Sequence, residues 1–185
     1  MRNLILSMWV TADGYVVEDG SDAQSFMFAM EDDEEQDRFG DERFDDVDVF
    51  ALGARTYRAW SGFWPTADGP MAAVLNRRPK VVFTRSGAVD PSWGPVRVLQ
   101  GEAAETAAAL KAEDGGDIVL QGSIELTHSL LRAGLIDELR LLVVPVAVGV
   151  GKPLFGKLGR LQPLTLVSTR QFASGLQAQV WRPVT

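Results

Sequence analysis

The sequence predicts one α/β domain built on a mixed, mostly parallel β-sheet. Short apolar and β-branched runs alternate with helical patterns through the first two-thirds of the 185 residues. This alternation favours parallel strands joined by right-handed crossovers. The last two strands flank Ser174-Gly175, a tight-turn signal that predicts an antiparallel hairpin. No linker or internal repeat divides the chain, so we expect a single domain over residues 1–185.

Eight segments have the short, apolar composition of β-strands. In chain order they are Leu4–Val10, Val47–Leu52, Lys80–Thr84, Val96–Leu99, Asp117–Leu120, Glu138–Val144, Leu164–Phe172 and Leu176–Trp181. Helical patterns lie between them at Ser25–Arg43, Ala54–Ala59, Pro70–Asn76, Glu102–Ala112 and Ser123–Ala133. A domain of this length buries most of its apolar surface without disulfides or a structural metal.

The composition excludes several classes of protein. There is no cysteine, which rules out cysteine-ligated zinc or iron–sulfur centres and thiol chemistry, and nothing indicates an oxidising compartment. The apolar start of the chain meets Asp13 too early for a signal peptide or a membrane span, and no later segment has the roughly 20 apolar residues that a span needs. We therefore expect a cytoplasmic protein that does not bind membranes.

The single histidine, His128, invites a catalytic or metal-binding role. A helix beginning at Ser123 would place it on one face with Glu125, Ser129 and Arg132, so the pattern predicts a solvated surface residue. No further histidine is present to form a cluster. We therefore expect neither a Ser-His-Asp triad nor a metal site.

The formal charge of −7 is unevenly distributed. Residues 31–46 hold 10 of the 25 acidic residues and 2 of the 18 basic ones, so the rest of the chain is nearly neutral. This balance provides no extended basic surface for nucleic acid, but it leaves room for a local site that holds a phosphorylated cofactor. The acidic run is predicted to be a solvated helix face rather than a partner-binding element.

Ligands of open α/β sheets usually bind where strands end, and the first candidate follows the second strand. Gly53 would let a ligand approach the backbone, and the free N–H groups of the new helix favour an anion. Arg55 and Thr56 add a charge and a hydroxyl donor. Simple turn chemistry is the alternative explanation for this glycine.

The second candidate is the turn Thr84-Arg85-Ser86, directly after the third strand. Two hydroxyls and a guanidinium are the groups that a ribose 2′-phosphate requires, so this turn favours NADPH over NADH. By itself the turn is equally consistent with an ordinary polar loop.

The third candidate is Gly122-Ser123, after the fifth strand. Ser123 is a plausible helix N-cap, and Gly122 would let a pyrophosphate lie against the helix start. A capped helix without a ligand explains the same residues. None of the three segments is a G-x-G-x-x-G fingerprint or a Walker loop, so the usual Rossmann and P-loop classes are not supported.

Taken together and in this order, the motifs resemble the dihydrofolate reductase-like family, in its riboflavin-biosynthesis reductase branch with stand-alone members. The segments that carry the resemblance are Ala12-Asp13-Gly14-Tyr15, Leu52-Gly53-Ala54-Arg55-Thr56-Tyr57 with Trp60 and Trp64-Pro65, Lys80-Val81-Val82-Phe83-Thr84-Arg85-Ser86, Trp93, and DIVLQGSIELTHSLLRAGLIDELRLLVVPVAVGVGKPLF at 117–155. The match spans nearly the whole chain. It departs from the family at Ala54, where members often carry the arginine of Gly-Arg-x-Thr, and at the bulky Trp9.

The resemblance implies a three-layer α/β/α dihydrofolate reductase-like fold with NADPH across the strand ends. It implies cofactor contacts of three kinds: to the pyrophosphate from Gly53, Arg55, Thr56, Gly122, Ser123 and Ile124; to the adenosine end from Thr84, Arg85 and Ser86; and to the nicotinamide from the edge of the first strand, including Val10 and Ala12. Asp13 is the candidate catalytic carboxylate, to orient substrate or relay a proton. The alternative is that Asp13-Gly14 only forms a turn.

The implied function is an NADPH-dependent reductase that transfers hydride to a small heterocyclic or carbonyl substrate, similar to the 5-amino-6-(5-phosphoribosylamino)uracil reductase domain. Alternatives are a non-catalytic NADP-binding or interaction protein on the same fold, and a true dihydrofolate reductase. A homodimer is implied by the family, with Leu139–Val144 available to extend or pack between subunits.

Substrate recognition is expected from the segment between Tyr15 and Phe44 and from the Trp60–Pro70 loop, whose aromatic rings could stack on a planar ring. Four further apolar residues could line the same cleft, although helical spacing favours packing in the core. These are Phe26, Met27, Phe28 and Met30.

Overall fold

Eight strands form one continuous sheet in the computed structural model, which describes residues 1–30 and 33–184, with the backbone alone at residue 41. The strands are β1 Leu4–Thr11, β2 Val47–Gly53, β3 Lys80–Thr84, β4 Val96–Gln100, β5 Asp117–Gln121, β6 Glu138–Val144, β7 Leu164–Gln171 and β8 Gln177–Pro183. Their order across the sheet is β4-β3-β2-β5-β1-β6-β8-β7. The first six strands pair in parallel, whereas β8 pairs antiparallel with both β6 and β7. The predicted mixed, mostly parallel sheet with a C-terminal antiparallel hairpin is confirmed.

Helices cover both faces of this sheet. They are α1 Asp22–Phe28, α2 Glu34–Glu42, α3 Ala54–Ser61, α4 Pro70–Arg77, α5 Ala103–Ala112 and α6 Ile124–Arg132, with a short 3₁₀ turn at Trp64–Thr66. Alternate residues of a strand point to opposite faces, so Leu4 and Leu6 pack with α5 and α6 while Ile5 packs with α3 and α4. The result is the expected three-layer α/β/α arrangement.

One long helix over Ser25–Arg43 is wrong: the region forms α1 and α2. A new helix, α2, begins at Glu34, and Asp33 is its N-cap. The backbone of Asp33 is extended, and its carboxylate accepts from Glu35 N and Gln36 N, both at 3.0 Å. Part of the predicted helix and of the acidic run, residues 31–32, lies outside the described residues. The charged side chains of Glu34, Glu35, Asp37, Arg38 and Glu42 are exposed, as expected for a solvated face.

Strand β6 lies inside the sheet and not at an edge. Its neighbours are β1 and β8, so every backbone position of Leu139–Val144 faces a partner strand within the chain. The prediction that this strand could extend the sheet into a second subunit is therefore wrong, because extension needs a free edge.

The prediction that His128 is a solvated surface residue is also wrong. Only 3 % of His128 is exposed, and its Nε2 lies 3.1 Å from the carbonyl oxygens of Pro153 and Leu154. The loop after β6 covers His128, while Glu125 and Arg132 on the same face of α6 stay exposed. A helical pattern read alone does not reveal a distant loop that buries a polar residue.

Among the described residues, no helix is long and apolar enough to cross a membrane. The same part of the chain contains no group of three or more histidine or acidic side chains that could hold a metal ion.

Candidate nucleotide-binding site

The three predicted strand ends lie along one edge of the sheet. Strand β2 is hydrogen-bonded to β3 on one side and to β5 on the other, and β1 is the next strand beyond β5. Gly53 at the end of β2 is aligned with Phe83, the residue before Thr84 on β3. Because parallel strands end at the same edge, topology alone brings these segments next to one another.

Ser123 links two of these segments directly. Its Oγ accepts a hydrogen bond from Gly53 N at 2.8 Å and donates one to Thr56 Oγ1 at 2.8 Å. The backbone of Ser123 is left-handed, with φ of 59°, and its side chain makes no capping bond to α6. The predicted side-chain N-cap is therefore wrong: the hydroxyl is used to hold the start of α3 beside the start of α6.

Both helix starts at this edge lack a side-chain cap. Helix α3 begins after Gly53 and helix α6 after Ser123, and neither has a capping side-chain hydrogen bond. Uncapped N–H groups at a helix start attract anions. The two starts therefore present adjacent positive ends.

Glycine leaves room for a ligand between these helix starts. A Cβ at Gly122, where φ is 61°, would lie 3.4 Å from Thr56 Cγ2, and a Cβ at Gly53 would lie 3.3 Å from Ser123 Oγ. Side chains at either position would crowd the space at the helix starts. The residues fit the pyrophosphate of a dinucleotide, which needs close backbone approach and N–H donors.

The turn after β3 is ordered by its own hydroxyls. Ser86 N donates to Thr84 Oγ1 at 3.3 Å, and the two side-chain hydroxyls lie 3.4 Å apart. Arg85 is exposed, as is Ser86. The guanidinium is thus available to solvent at the outer end of the predicted site, one strand away from Gly53.

Asp13 has a defined structural role at the end of β1. Its carboxylate accepts from Thr11 Oγ1 at 2.6 Å and from the backbone N–H groups of Val148 and Gly149 at 3.1 and 2.7 Å. The Thr11 hydroxyl first, and then the Gly149 amide, hold the pKa of Asp13 below its usual value. This carboxylate is ionised at neutral pH and fixes the loop after β6, so it is a poor proton donor.

Four other predicted contacts differ in exposure. Ala12 is exposed beyond the strand end, whereas the side chain of Val10 is buried in the core and can offer only its backbone. Ile124 is half-buried against the core and begins α6. Arg55 is exposed on the first turn of α3.

Trp9 is a half-buried residue of the core. It packs with Leu142 and Val144, and the Arg43 guanidinium lies 5.6 Å from its ring centroid, within range of a cation–π contact. Of the residues proposed to line a cleft, Met27 and Met30 pack into this same cluster, while Phe26 and Phe28 are exposed.

Sequence reasoning missed two features of this edge. Gln121, the last residue of β5, is 5 % exposed, and its Oε1 has no hydrogen-bond partner among the described residues. Buried polar atoms are normally bonded, so this oxygen is a candidate contact for a ligand donor. Gly101 follows β4 and donates its N–H to Thr84 O at 3.1 Å, which joins the start of α5 to the same edge. In the sequence, the signal that could have identified Gln121 is a polar residue at the end of a buried strand.

A larger open groove, of about 720 Å³, lies at the opposite end of the strands, beside Arg2, Asp48 and Arg97. Two of its arginines are already bonded: Arg97 pairs with Glu113 at 2.7 Å, and Arg2 Nε donates to Gly116 O at 2.6 Å, whereas the buried Nε of Arg78 has no hydrogen-bond partner among the described residues. Volume alone favours this groove, but the groups available for a ligand favour the edge at Gly53.

The fold and its glycine-opened strand ends define the class of protein, a dihydrofolate reductase-like α/β domain. Two crystal structures share this fold. One, from Shewanella sp. PV-4, is described as a riboflavin biosynthesis protein; it is 19 % identical, each chain covers 99 % of the other, and the TM-score is 0.78. The other is a pyrimidine reductase-like protein from Corynebacterium diphtheriae, 15 % identical with a TM-score of 0.70, over 99 % of this chain and 92 % of that one.

The chain belongs to the RibD C-terminal domain family, whose model matches residues 2–178. Two relatives come from Bacillus subtilis strain 168, and both are described as uncharacterized proteins. YyaP is 28 % identical over 181 residues, covering 95 % of this chain and 92 % of YyaP. YwjB is 30 % identical over 178 residues, covering 95 % of both proteins. The predicted family is thereby confirmed.

Proposed function

We propose that this protein is an NADPH-dependent reductase that acts on a small heterocyclic or carbonyl compound. The observation that carries the proposal is the double hydrogen bond of Ser123, which joins the uncapped starts of α3 and α6. Membership of the RibD C-terminal domain family supports a reductase. When bound, NADPH supplies the hydride.

The starts of α3 and α6 would hold the pyrophosphate. Their N–H groups and the hydroxyl of Thr56 act as donors, and the glycines at 53 and 122 let the phosphates approach the backbone. Arg55 adds a charge on the exposed side of α3. These donors favour an anion without any metal ion.

The turn after β3 would hold the adenosine end. Thr84 and Ser86 supply hydroxyls, and the exposed Arg85 supplies the cation that a 2′-phosphate requires. This cation is the reason to expect preference for NADPH over NADH.

Ala12 and the backbone of Val10 would border the nicotinamide at the end of β1. Asp13 keeps the adjoining loop closed through Val148 and Gly149, and its lowered pKa favours an orienting role over proton donation. The proton for the product then comes from another source, and bulk water is the simplest. Asp13 therefore contributes geometry and negative charge rather than acid catalysis.

Cofactor titrations of the purified protein test the proposal. The two variants Thr56→Val and Ser123→Ala remove the linked hydroxyls, and we expect each to raise the Kd for NADPH tenfold or more, about 1.4 kcal/mol. Arg85→Ala should weaken NADPH binding and leave NADH binding nearly unchanged. Quenching of tryptophan fluorescence or calorimetry measures all of these constants.

Arg97→Gln is the matched control, because Arg97 lies on a strand of the same sheet but at the opposite end. Its NADPH affinity should equal that of the wild type. If the wild-type protein does not bind NADPH, or if the hydroxyl variants bind it equally well, the proposal is wrong. A cytoplasmic location and a homodimer stay predictions, and gel filtration with light scattering tests the latter.

A further inference from the structure

Three segments surround the strand ends where the substrate of the proposed reductase would lie. Residues 12–30 turn back along β1 and carry α1, whose Met27 packs against the same buried cluster as Trp9. Residues 59–70 follow α3, where Trp60 lies about 4.0 Å from the Cβ position of Gly122. Residues 145–156 follow β6 and pair with the first segment through Tyr15 and Pro153. We call these three segments the rim.

The rim is poor in cations. Together its segments contain five acidic residues and one basic residue, Lys152. Lys152 is ion-paired with Glu18 across the rim. A phosphate group on a substrate would need a free cation here, because phosphate sites rely on arginine, lysine or a helix start.

Three arginines outside the rim are assigned to the cofactor, directed away from Trp60 or already bonded. Arg55 belongs to the proposed cofactor site, and Arg58 is rotated about 200° around α3 from Trp60 at 3.6 residues per turn. Arg140 lines a cavity beneath α2, but it is bonded to Asp46 and Glu138. That cavity, also lined by Arg43, holds only about 30 Å³, which is room for one or two waters.

The rim also carries every exposed aromatic side chain of the described residues. These are Phe26, Phe28, Phe63 and Phe155, with 43, 74, 61 and 39 % of each exposed. Each exposed aromatic ring offers a face on which a planar ring can stack. The aromatic rings can stack on planar molecules that are neutral or positively charged. The carboxylates between them repel phosphate.

We propose that the substrate is an unphosphorylated planar heterocycle, neutral or cationic, which distinguishes this protein from a reductase of phosphoribosyl compounds. This inference rests on the proposed function, since it assigns the substrate side of the same site. The aromatic rings of the rim stack on the heterocycle, and its carboxylates disfavour phosphate.

Riboflavin and its 5′-phosphate form a matched probe pair, because they share one planar ring and differ only in the phosphate. Flavin fluorescence is titrated with protein saturated with NADP⁺, which prevents turnover. We expect riboflavin to bind at least tenfold more tightly than its phosphate. Asp68→Lys, which places a cation on the rim, should reduce this preference severalfold.

Phe63→Ala and Phe28→Ala test the aromatic contribution, and both should weaken riboflavin binding severalfold without changing the Kd for NADP⁺. Leu161→Ala is the control, since Leu161 is an apolar side chain that is 90 % exposed outside the rim. Its riboflavin affinity should not change. Light scattering measures the molar mass of each variant. If a phenylalanine variant has a lower molar mass than the wild type and still binds riboflavin equally well, the rim contacts a second copy of the chain. That result overturns the inference.

The two proposals fail in different ways. Absence of NADP⁺ binding contradicts the reductase function, and the flavin pair is then compared without cofactor. Equal or tighter binding of the phosphorylated flavin overturns the inference about the substrate. If neither flavin binds, uridine and its 5′-monophosphate are compared in the same way, and no preference for uridine also overturns it.

Discussion

The two ends of the parallel strands satisfy their polar groups differently. At the amino-terminal end, most charged groups bond within the chain: Lys111 donates to Asp137, and Asp137 also accepts from Leu4 N at 2.7 Å. At the carboxyl-terminal end, the helices after Gly53 and Ser123 begin without side-chain caps. One end therefore uses its polar groups for folding, while the other leaves backbone donors available for a ligand.

Under the proposed function, the volume of a groove is a poor guide to the binding site of this molecule. The large groove lies at the amino-terminal end, where Arg97 and Arg2 are already bonded. At the proposed site, α3 and α6 begin without side-chain caps, although Ser123 Oγ already bonds Gly53 N and Thr56 Oγ1. If the two ends of the strands differ in this way, substitutions at the amino-terminal end should change only the free energy of unfolding. Substitutions at the carboxyl-terminal end should change NADPH binding.

The largest effect is expected at Lys80, which begins β3 and is 1 % exposed. Its Nζ donates to Arg78 O at 2.9 Å and lies 4.4 Å from the centroid of the Trp93 ring. Burial lowers the pKa of Lys80 from 10.5 to about 8. Between these two values the unfolded chain binds more protons than the folded one, so stability should rise with pH, by up to about 3 kcal/mol. Urea denaturation at pH 7.5 and pH 10.5 measures this rise.

Lys80→Met is the reference for this experiment, because it removes the titrating group and keeps much of the volume. The variant should be more stable than the wild type at pH 7.5, and the difference should shrink as the pH approaches 10.5. A wild-type advantage at pH 7.5 would show that the contacts with Arg78 and Trp93 outweigh the cost of burial. NADPH affinity should be the same in both proteins.

An intermediate effect is expected for Gly122→Ala at the carboxyl-terminal end. The left-handed backbone of Gly122 disfavours alanine by about 1 kcal/mol, and the new Cβ would contact Thr56 and narrow the proposed pyrophosphate site. We expect NADPH affinity to fall at least tenfold. Thermal unfolding and cofactor titration give the two quantities separately.

Gly159→Ala is the matched control for that variant. Gly159 is also left-handed, with φ of 74°, but a Cβ there would meet nothing within 4 Å. It should lose similar stability and keep its cofactor affinity. Equal losses of affinity in both variants would mean that the effect comes from destabilisation and not from the site.

The smallest effect is expected from Asp13. Because its pKa is held below 3.8 by the Thr11 hydroxyl and then by the Gly149 amide, its contribution to stability is present above pH 3.8 and is lost as the pH falls through the lower folded value. The amide resonances of Val148 and Gly149 should titrate in this acidic range. In Asp13→Asn they should not titrate, and a midpoint above pH 3.8 in the wild type would contradict the assignment.

Much of the fold could be predicted because strands and helices have local patterns in the sequence. Apolar runs such as Lys80–Thr84 and turn residues such as Ser174-Gly175 were sufficient to place elements and the hairpin. The prediction of one helix over Ser25–Arg43 is wrong because Asp33 resembles any polar residue on an exposed helix face. Only the structure shows that its carboxylate caps α2.

The sequence by itself determined the class of fold and which strand ends carry glycine and hydroxyl residues, because periodicity and residue type are local properties. The family followed from the resemblance of its motifs to those of known members. Only the tertiary structure decided that Ser123 reaches Gly53 from 70 residues away and that a loop buries His128. Such contacts depend on which strands become neighbours. Strand order is set by packing of the whole sheet, and no single segment contains that information.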